Sequence, residues 1–228
     1  MWRVCVLLGV VWFLACAGDP GVAQTGAGPH TAARAAAPRA PGRVYPLDRL
    51  KRSSGRRAAA CPKLELRKFR GDSVRFEPAA RVVEPFRKRL LELERIVNEV
   101  SRRVYDRPPS AILVAASYGC RSVRGKQRRL SEHALGNAID IKGFRFAPAR
   151  GASARGLPSA LKDGFDVRID QHWKARGSAV RRRHARFLEE LTSALLEHDT
   201  FRTLLGPAHR DHSDHLHFDM APQHFVNL

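Results

Sequence analysis

Two histidine-containing motifs, far apart in the chain, constrain its fold most strongly. They read Ser131-Glu-His-Ala-Leu-Gly-Asn-Ala-Ile-Asp140 and His209-Arg-Asp-His-Ser-Asp-His-Leu-His-Phe-Asp219. In the first, a histidine leads through a glycine turn into a strand, so His133 and Asp140 can reach one point without a helix. In the second, the two-residue period of a strand places His215 and His217 on one face. The two strands must lie side by side if the motifs act together.

Adjacent strands would bring His133, Asp140 and one histidine of the second motif into a single cleft. Two imidazoles, one carboxylate and an open position form a known catalytic zinc set, because the open position accepts water or a substrate carbonyl. The spacing alone does not decide between His215 and His217 as the third ligand. The other histidine would be well placed to handle the proton of that water. We therefore expect one zinc ion per chain.

The hydrophobic pattern predicts an α+β fold, with a small antiparallel sheet and flanking helices that carry the zinc site. Apolar residues at steps of three and four predict helices over residues 85–104 and 178–198. Short apolar or alternating runs predict strands over residues 111–116, 137–146, 164–169 and 215–220. The apolar content of 43% in a chain of 228 residues is sufficient for a hydrophobic core.

The N-terminus has the layout of a secretory signal. Residues 1–17 combine an early arginine, a short apolar run and an Ala-x-Ala ending, and cleavage after Ala23 is an alternative. The sequence Phe-Leu-Ala-Cys that ends at Cys16 is an imperfect lipoprotein box, so a membrane anchor is expected only if this cysteine carries lipid. We expect an exported protein of the periplasm or cell envelope.

The segment that follows predicts a tether and then a domain. Residues 18–60 are rich in Ala, Gly, Pro and Arg and have few large apolar side chains, which is typical of a disordered basic linker. Residues 61–228 are the predicted folded domain. Once Cys5 and Cys16 are set aside, Cys61 and Cys120 remain, and we expect an exported protein to join them in a disulfide. The alternative is one packed and one free cysteine.

The formal net charge of +19 narrows the choice of partner. The arginines are spread over every segment and form no recognisable nucleic-acid-binding motif, and export also argues against nucleic acid. A basic exported protein is attracted to anionic polymers, which include the carboxylates of peptidoglycan. We expect such a partner for a monomeric protein, although the charge is equally explained by solubility.

Four polar residues near the motifs have two interpretations each. Arg121 can pair with a substrate carboxylate or be one of many surface arginines. Ser131 can bind substrate or cap the turn that follows it. Asp214 and Asp219 can hold imidazoles in the required tautomer, or they can have an ordinary role at the strand edge.

The other histidines are assigned weaker roles. His209 and His212 are expected at the surface or behind the ligands, and either could replace His215 as the proton carrier. The remaining ones are expected at the surface, namely His172, His184, His198 and His224.

Three stretches of the chain resemble the bacterial extensin-like C-terminal domain family. This family is placed in the superfamily of lysostaphin-type peptidases, D-alanyl-D-alanine carboxypeptidases and the N-terminal domain of sonic hedgehog. The resemblance implies that His133, Asp140 and His217 are the zinc ligands and that His215 acts near the metal-bound water. The matching stretches are Ser117-Tyr-Gly-Cys-Arg121, Arg129-Leu-Ser-Glu-His-Ala-Leu-Gly-Asn-Ala-Ile-Asp-Ile-Lys-Gly-Phe144 and His212-Ser-Asp-His-Leu-His-Phe-Asp-Met220.

The resemblance also implies an activity. An exported zinc metallopeptidase or amidase would act on the peptide stems or cross-links of the bacterial cell wall. The alternative is a non-catalytic, zinc-containing module that binds the wall or has a structural role, as the hedgehog relative shows to be possible on this fold.

Overall fold

The computed structural model describes residues 60–151 and 157–228. The predicted signal peptide and the predicted linker up to residue 59 lie outside the described residues. Within the described ranges, no helix is both long enough and apolar enough to cross a membrane.

The described residues form three α-helices and eleven β-strands. The helices are α1 (Glu84–Tyr105), α2 (Ile169–His172) and α3 (Ala179–Glu197). The strands are β1 (Arg67–Phe69), β2 (Arg75–Glu77), β3 (Ala80–Val82), β4 (Ala111–Ala116), β5 (Ser122–Val123), β6 (Lys126–Leu130), β7 (Ala138–Phe146), β8 (Phe165–Arg168), β9 (Thr203–Leu205), β10 (Leu216–Asp219) and β11 (Phe225–Asn227).

The predicted α+β class is confirmed, and the central sheet of the described residues is mixed. It has the order β11-β9-β10-β7-β4-β2, with β8 also paired to β7. The pairs around β7 and β10 are antiparallel, as predicted, whereas the edge strands β2 and β11 run parallel to their neighbours. Two further antiparallel pairs, β1 with β3 and β5 with β6, lie outside this sheet.

Strand β7 organises the sheet because three strands pair with it. β4 pairs along much of its length, β10 pairs with its first half, and β8 pairs with its second half. Gly143 begins the second half, where it pairs with Arg168 and a Cβ atom would approach the carbonyl oxygen of Val167 to 2.3 Å. Glycine is therefore required for the close approach of β8 to β7.

The two long helices confirm the predicted positions to within one residue at each end. α1 has a proline in its first turn and a buried stripe that includes Leu90, Leu93 and Val97. It ends at Asp106, which takes up a left-handed backbone conformation with φ 59°. α3 begins after Ser178, whose hydroxyl accepts a hydrogen bond from the Arg181 N–H. The helices pack against each other, so their apolar stripes share one core.

The predicted disulfide between Cys61 and Cys120 is present, with 5.9 Å between the two Cα atoms. Cys61 also packs against a small apolar cluster of Leu130, Ala134 and Leu135. The bridge thus fastens the start of the domain to the segment that carries the first histidine motif. Disulfides are typical of proteins that function in an oxidising, exported environment.

We predict that the paired substitution of Cys61→Ser and Cys120→Ser lowers the free energy of unfolding by about 4 kcal/mol, because the bridge closes a long loop and restricts the unfolded chain. The sequence separation of the two cysteines is 59 residues. Denaturant unfolding of the variant and of the oxidised parent measures the difference. Equal unfolding midpoints and slopes would show that the bridge does not stabilise the fold.

Candidate metal centre

A short 3-10 helix over Glu132–Leu135 positions the first histidine of the site. The Ser131 hydroxyl caps this turn by accepting a hydrogen bond from the His133 N–H at 3.3 Å. The turn ends at Gly136, where φ is 61° and a Cβ atom would meet the Leu66 side chain at 2.6 Å. The glycine is therefore needed both for the backbone conformation and for space. As a result, the turn leads directly into β7, and the His133 side chain contacts Asp140 of that strand.

The pairing of β10 with β7 brings the rest of the site to this point. His217 lies directly across from Asp140 in the register. The Nδ1 atom of His217 is 2.8 Å from Asp140 Oδ1, and His133 Nε2 is 3.1 Å from the same oxygen and 3.2 Å from His217 Nδ1. All three residues are buried, with relative exposures of 1% for His133, 5% for Asp140 and 8% for His217. We call these three residues the strand cluster.

Each imidazole of the strand cluster is fixed from behind. The Nδ1–H of His133 donates to the backbone carbonyl of Ser117, and the Nε2–H of His217 donates to Asp219 Oδ2 at 2.8 Å. Asp219 is itself held by the Ala221 N–H, which donates to its other oxygen at 2.7 Å. Outward hydrogen bonds of this kind orient metal-binding histidines. They leave Nε2 of His133 and Nδ1 of His217 directed at Asp140.

The charges within the strand cluster are strongly coupled. Burial favours the neutral acid of Asp140, but hydrogen bonds and charges from His133 and His217 outweigh it and hold the pKa well below the usual range. Burial likewise disfavours protonated His217, yet Asp140 and Asp219 raise its pKa to about 9. Since the pKa in the fold exceeds the ordinary value of 6.5, this group stabilises the metal-free fold below about pH 6.5. That contribution is lost as the pH rises through about 9.

His215 lies beside the strand cluster, just before β10 begins. Its Nε2 atom is 3.8 Å from Asp140 Oδ1, and its Nδ1 atom is 2.8 Å from Asp214 Oδ1. Asp214 therefore contacts the ring of His215, just as Asp219 contacts the ring of His217. These contacts agree with the interpretation that each carboxylate holds an imidazole in one tautomer. The partly buried ring of His215 sits near the ligand atoms without being one of the closest three.

The two predicted substrate-binding residues occupy different positions. Arg121 Nη2 is 3.6 Å from Asp140 Oδ2, and its side chain is 56% exposed, so the guanidinium is both near the strand cluster and open to solvent. Ser131 caps the turn before β7, as one of its two interpretations predicted. Its contact with a substrate stays a prediction.

The prediction that His184 lies at the surface is wrong. This residue is buried on α3, and its Nδ1 atom is 2.8 Å from the Tyr105 hydroxyl of α1. Burial, with the nearby charges of His172 and Arg183, lowers its pKa to about 4, so the neutral ring accepts the hydroxyl hydrogen bond at neutral pH. A single histidine among charged and apolar residues on a helix gave no sign of this contact.

Among the described residues, the strand cluster is a group of three ligand-type side chains whose candidate atoms lie within 4.8 Å of one another. Two of its residues lie on the antiparallel strands β7 and β10, and His133 lies on the 3-10 helix that precedes β7. The chain belongs to the family described as Extensin-like protein C-terminus, whose model matches residues 47–227. No curated protein and no solved structure matches the chain. The family resemblance of the two motifs is thereby confirmed.

We predict that Asp219→Asn lowers the pKa of His217 in the metal-free protein, because one of the two carboxylates that favour its protonated form loses its charge. The Asn oxygen can still accept the hydrogen bond from Ala221. Asp214→Asn is the matched control, since Asp214 contacts His215 instead. NMR titration of the His217 ring measures both variants. Equal pKa values in Asp219→Asn and the parent would contradict this electrostatic account.

Proposed function

We propose that the protein is an exported zinc-dependent hydrolase that cleaves amide bonds in the peptide stems or cross-links of the bacterial cell wall. The observation that carries the proposal is the strand cluster, in which His133, Asp140 and His217 converge in a buried position. The order and spacing of the two motifs support placing the chain with lysostaphin-type peptidases and D-alanyl-D-alanine carboxypeptidases. We place its site of action in the periplasm or cell envelope.

The donor atoms of the strand cluster suit zinc. Two imidazole nitrogens and one carboxylate oxygen are ligands that zinc, a borderline-soft ion, binds well. Catalytic zinc sites likewise have three protein ligands. Each imidazole already has its second nitrogen hydrogen-bonded outward, so the inward nitrogens of His133 and His217 are available as ligands. When bound there, zinc would polarise an amide carbonyl and make a bound water more acidic.

His215 is the residue best placed to move a proton. Its Nε2 atom lies at the edge of the strand cluster, and Asp214 holds its Nδ1 atom. An imidazole nitrogen can accept a proton and release it again, so His215 can take a proton from the attacking water and deliver it to the departing amine. Asp214 would stabilise the protonated ring during this transfer.

Arg121 is the residue best placed to position a substrate. Its exposed guanidinium lies next to Asp140, so a carboxylate that pairs with it would bring the adjacent peptide bond to the strand cluster. The net charge of +19 would raise the local concentration of anionic wall polymers around the protein. Both features favour peptidoglycan as the partner.

We predict that His215→Ala retains zinc and loses activity on peptidoglycan fragments by about 10²- to 10⁴-fold, the usual contribution of general acid–base catalysis. The pH dependence of the rate should also change shape in the variant, because the residue that moves the proton is absent. His224→Ala is the control, because this histidine is half exposed and its ion pair is with Asp199 instead. Amine release and metal content measure the two effects.

Two results would contradict this account. If His215→Ala hydrolyses the fragments as fast as the parent, the proton is moved by His212, by His209 or by no histidine. If the parent holds zinc and is inert on every fragment, the non-catalytic wall-binding module is the correct alternative.

A further inference from the structure

A second group of ligand-type atoms lies on the loop between β9 and β10. His209 Nδ1 and His212 Nδ1 are 3.0 Å apart, and the backbone carbonyl oxygen of Arg210 is 2.8 Å from the first and 2.9 Å from the second. We call these three groups the loop cluster. None of them belongs to the strand cluster.

The loop cluster has the dimensions of a metal-binding triangle. Donor atoms at about 2.1 Å from a shared ion are about 3.0 Å apart in octahedral and about 3.4 Å apart in tetrahedral geometry. The edges of the loop cluster are 2.8, 2.9 and 3.0 Å. Those of the strand cluster are 2.8, 3.1 and 3.2 Å. The two triangles are therefore nearly the same size.

The hydrogen positions decide whether the loop cluster is held by hydrogen bonds or can bind a cation. A neutral imidazole carries one N–H, on either of its nitrogens. If both rings carry the hydrogen on Nδ1, both N–H groups donate to the Arg210 carbonyl oxygen, which has two lone pairs. If both rings carry it on Nε2, the two Nδ1 atoms and the carbonyl oxygen bring three lone pairs close together, and a cation is the partner that satisfies all three.

The backbone of the loop holds these atoms together. Asp211 has φ 67°, a left-handed conformation that is uncommon for a residue other than glycine and reverses the chain between the two histidines. The His212 N–H donates to the His209 carbonyl at 3.2 Å. The Asp211 carboxylate is also anchored by Arg124, at 2.6 Å. These contacts keep the three atoms of the loop cluster close to one another in the metal-free protein.

We infer that the loop cluster is a second binding site for a divalent transition-metal ion such as Zn²⁺, Ni²⁺ or Cu²⁺. Imidazole nitrogens select ions of this class over Mg²⁺ and Ca²⁺. One ligand is a backbone carbonyl and both histidines are partly exposed, so water completes the coordination and the ion exchanges more readily than one in the strand cluster. The His212 ring also contacts those of His215 and His217, with centroids 4.8 and 5.6 Å apart, so the two clusters are neighbours.

Zn²⁺ titration of the metal-free full-length protein, followed by native mass spectrometry and calorimetry, tests the inference. We expect two ions in the parent and in the His224→Ala control, and one ion in His209→Ala. Substitution at His209 is preferred to His212, because His212 also contacts the strand cluster. His209→Gln repeats the test with a side chain of similar size, and circular dichroism verifies that each variant is folded.

The strand cluster is tested in the same experiment. His217→Ala should keep one ion, and the double variant His209→Ala/His217→Ala measures any binding elsewhere in the chain, including at Cys5 and Cys16. The inference would be overturned if both His209 variants still bound a second ion. It would also be overturned if the parent bound one ion and His217→Ala removed it. A parent that binds one ion which only the His209 variants remove would support the loop cluster and refute the zinc site of the proposed function.

Discussion

The structure depends most on the antiparallel register between β7 and β10, because it sets His217 across from Asp140. On β10, Leu216 and Phe218 are fully buried and alternate with His217 and Asp219. A slip of one residue would exchange these two faces, which would take the apolar pair out of the hydrophobic core and remove His217 from the site. Burial of each apolar side chain is worth about 1.5–3 kcal/mol, so the hydrophobic core fixes the geometry of the polar site.

The buried polar residues on this strand pair destabilise the fold unless an opposite charge neutralises the Asp140 carboxylate. A buried carboxylate with two imidazoles must be hydrogen-bonded or paired to avoid a large desolvation penalty. In the metal-free protein, a proton on His217 supplies part of the compensation, which is the physical meaning of its raised pKa. A divalent cation would supply it more completely. A metal that binds here would therefore also stabilise the fold.

Much of the fold could be predicted because its long elements have clear periodicity. Apolar spacing predicted the two long helices and the strands β4, β7, β8 and β10. The disulfide was predicted from the number of cysteines outside the predicted signal peptide. The three-residue strands, the parallel edges of the sheet and the four-residue α2 could not be predicted, since so few residues show no period. They depend on tertiary pairing that local sequence does not record.

The side chains of the strand cluster could also be predicted, but their atomic arrangement could not. Motif spacing indicated that His133 and Asp140 would meet a histidine of β10, and the family resemblance chose His217. Which imidazole nitrogen faces inward depends on Ser117 and Asp219, and so on the folded backbone. The loop cluster could not be predicted from the sequence, because one of its three atoms is a backbone carbonyl oxygen. The left-handed backbone conformation of Asp211 was not indicated by any residue pattern either.

The central claim is that the strand cluster makes this chain a zinc-dependent hydrolase of wall peptides. The most direct test is mass analysis of defined muropeptides after incubation with the full-length protein. The same incubation is repeated with protein whose metal has been removed by a chelator, and with that protein after zinc has been added back. The account predicts amide-bond cleavage, with the mass of one water added across the products, that disappears on chelation, returns with zinc and is absent in His217→Ala. Intact muropeptides in the presence of zinc-loaded protein, or cleavage that chelation leaves unchanged, would contradict it.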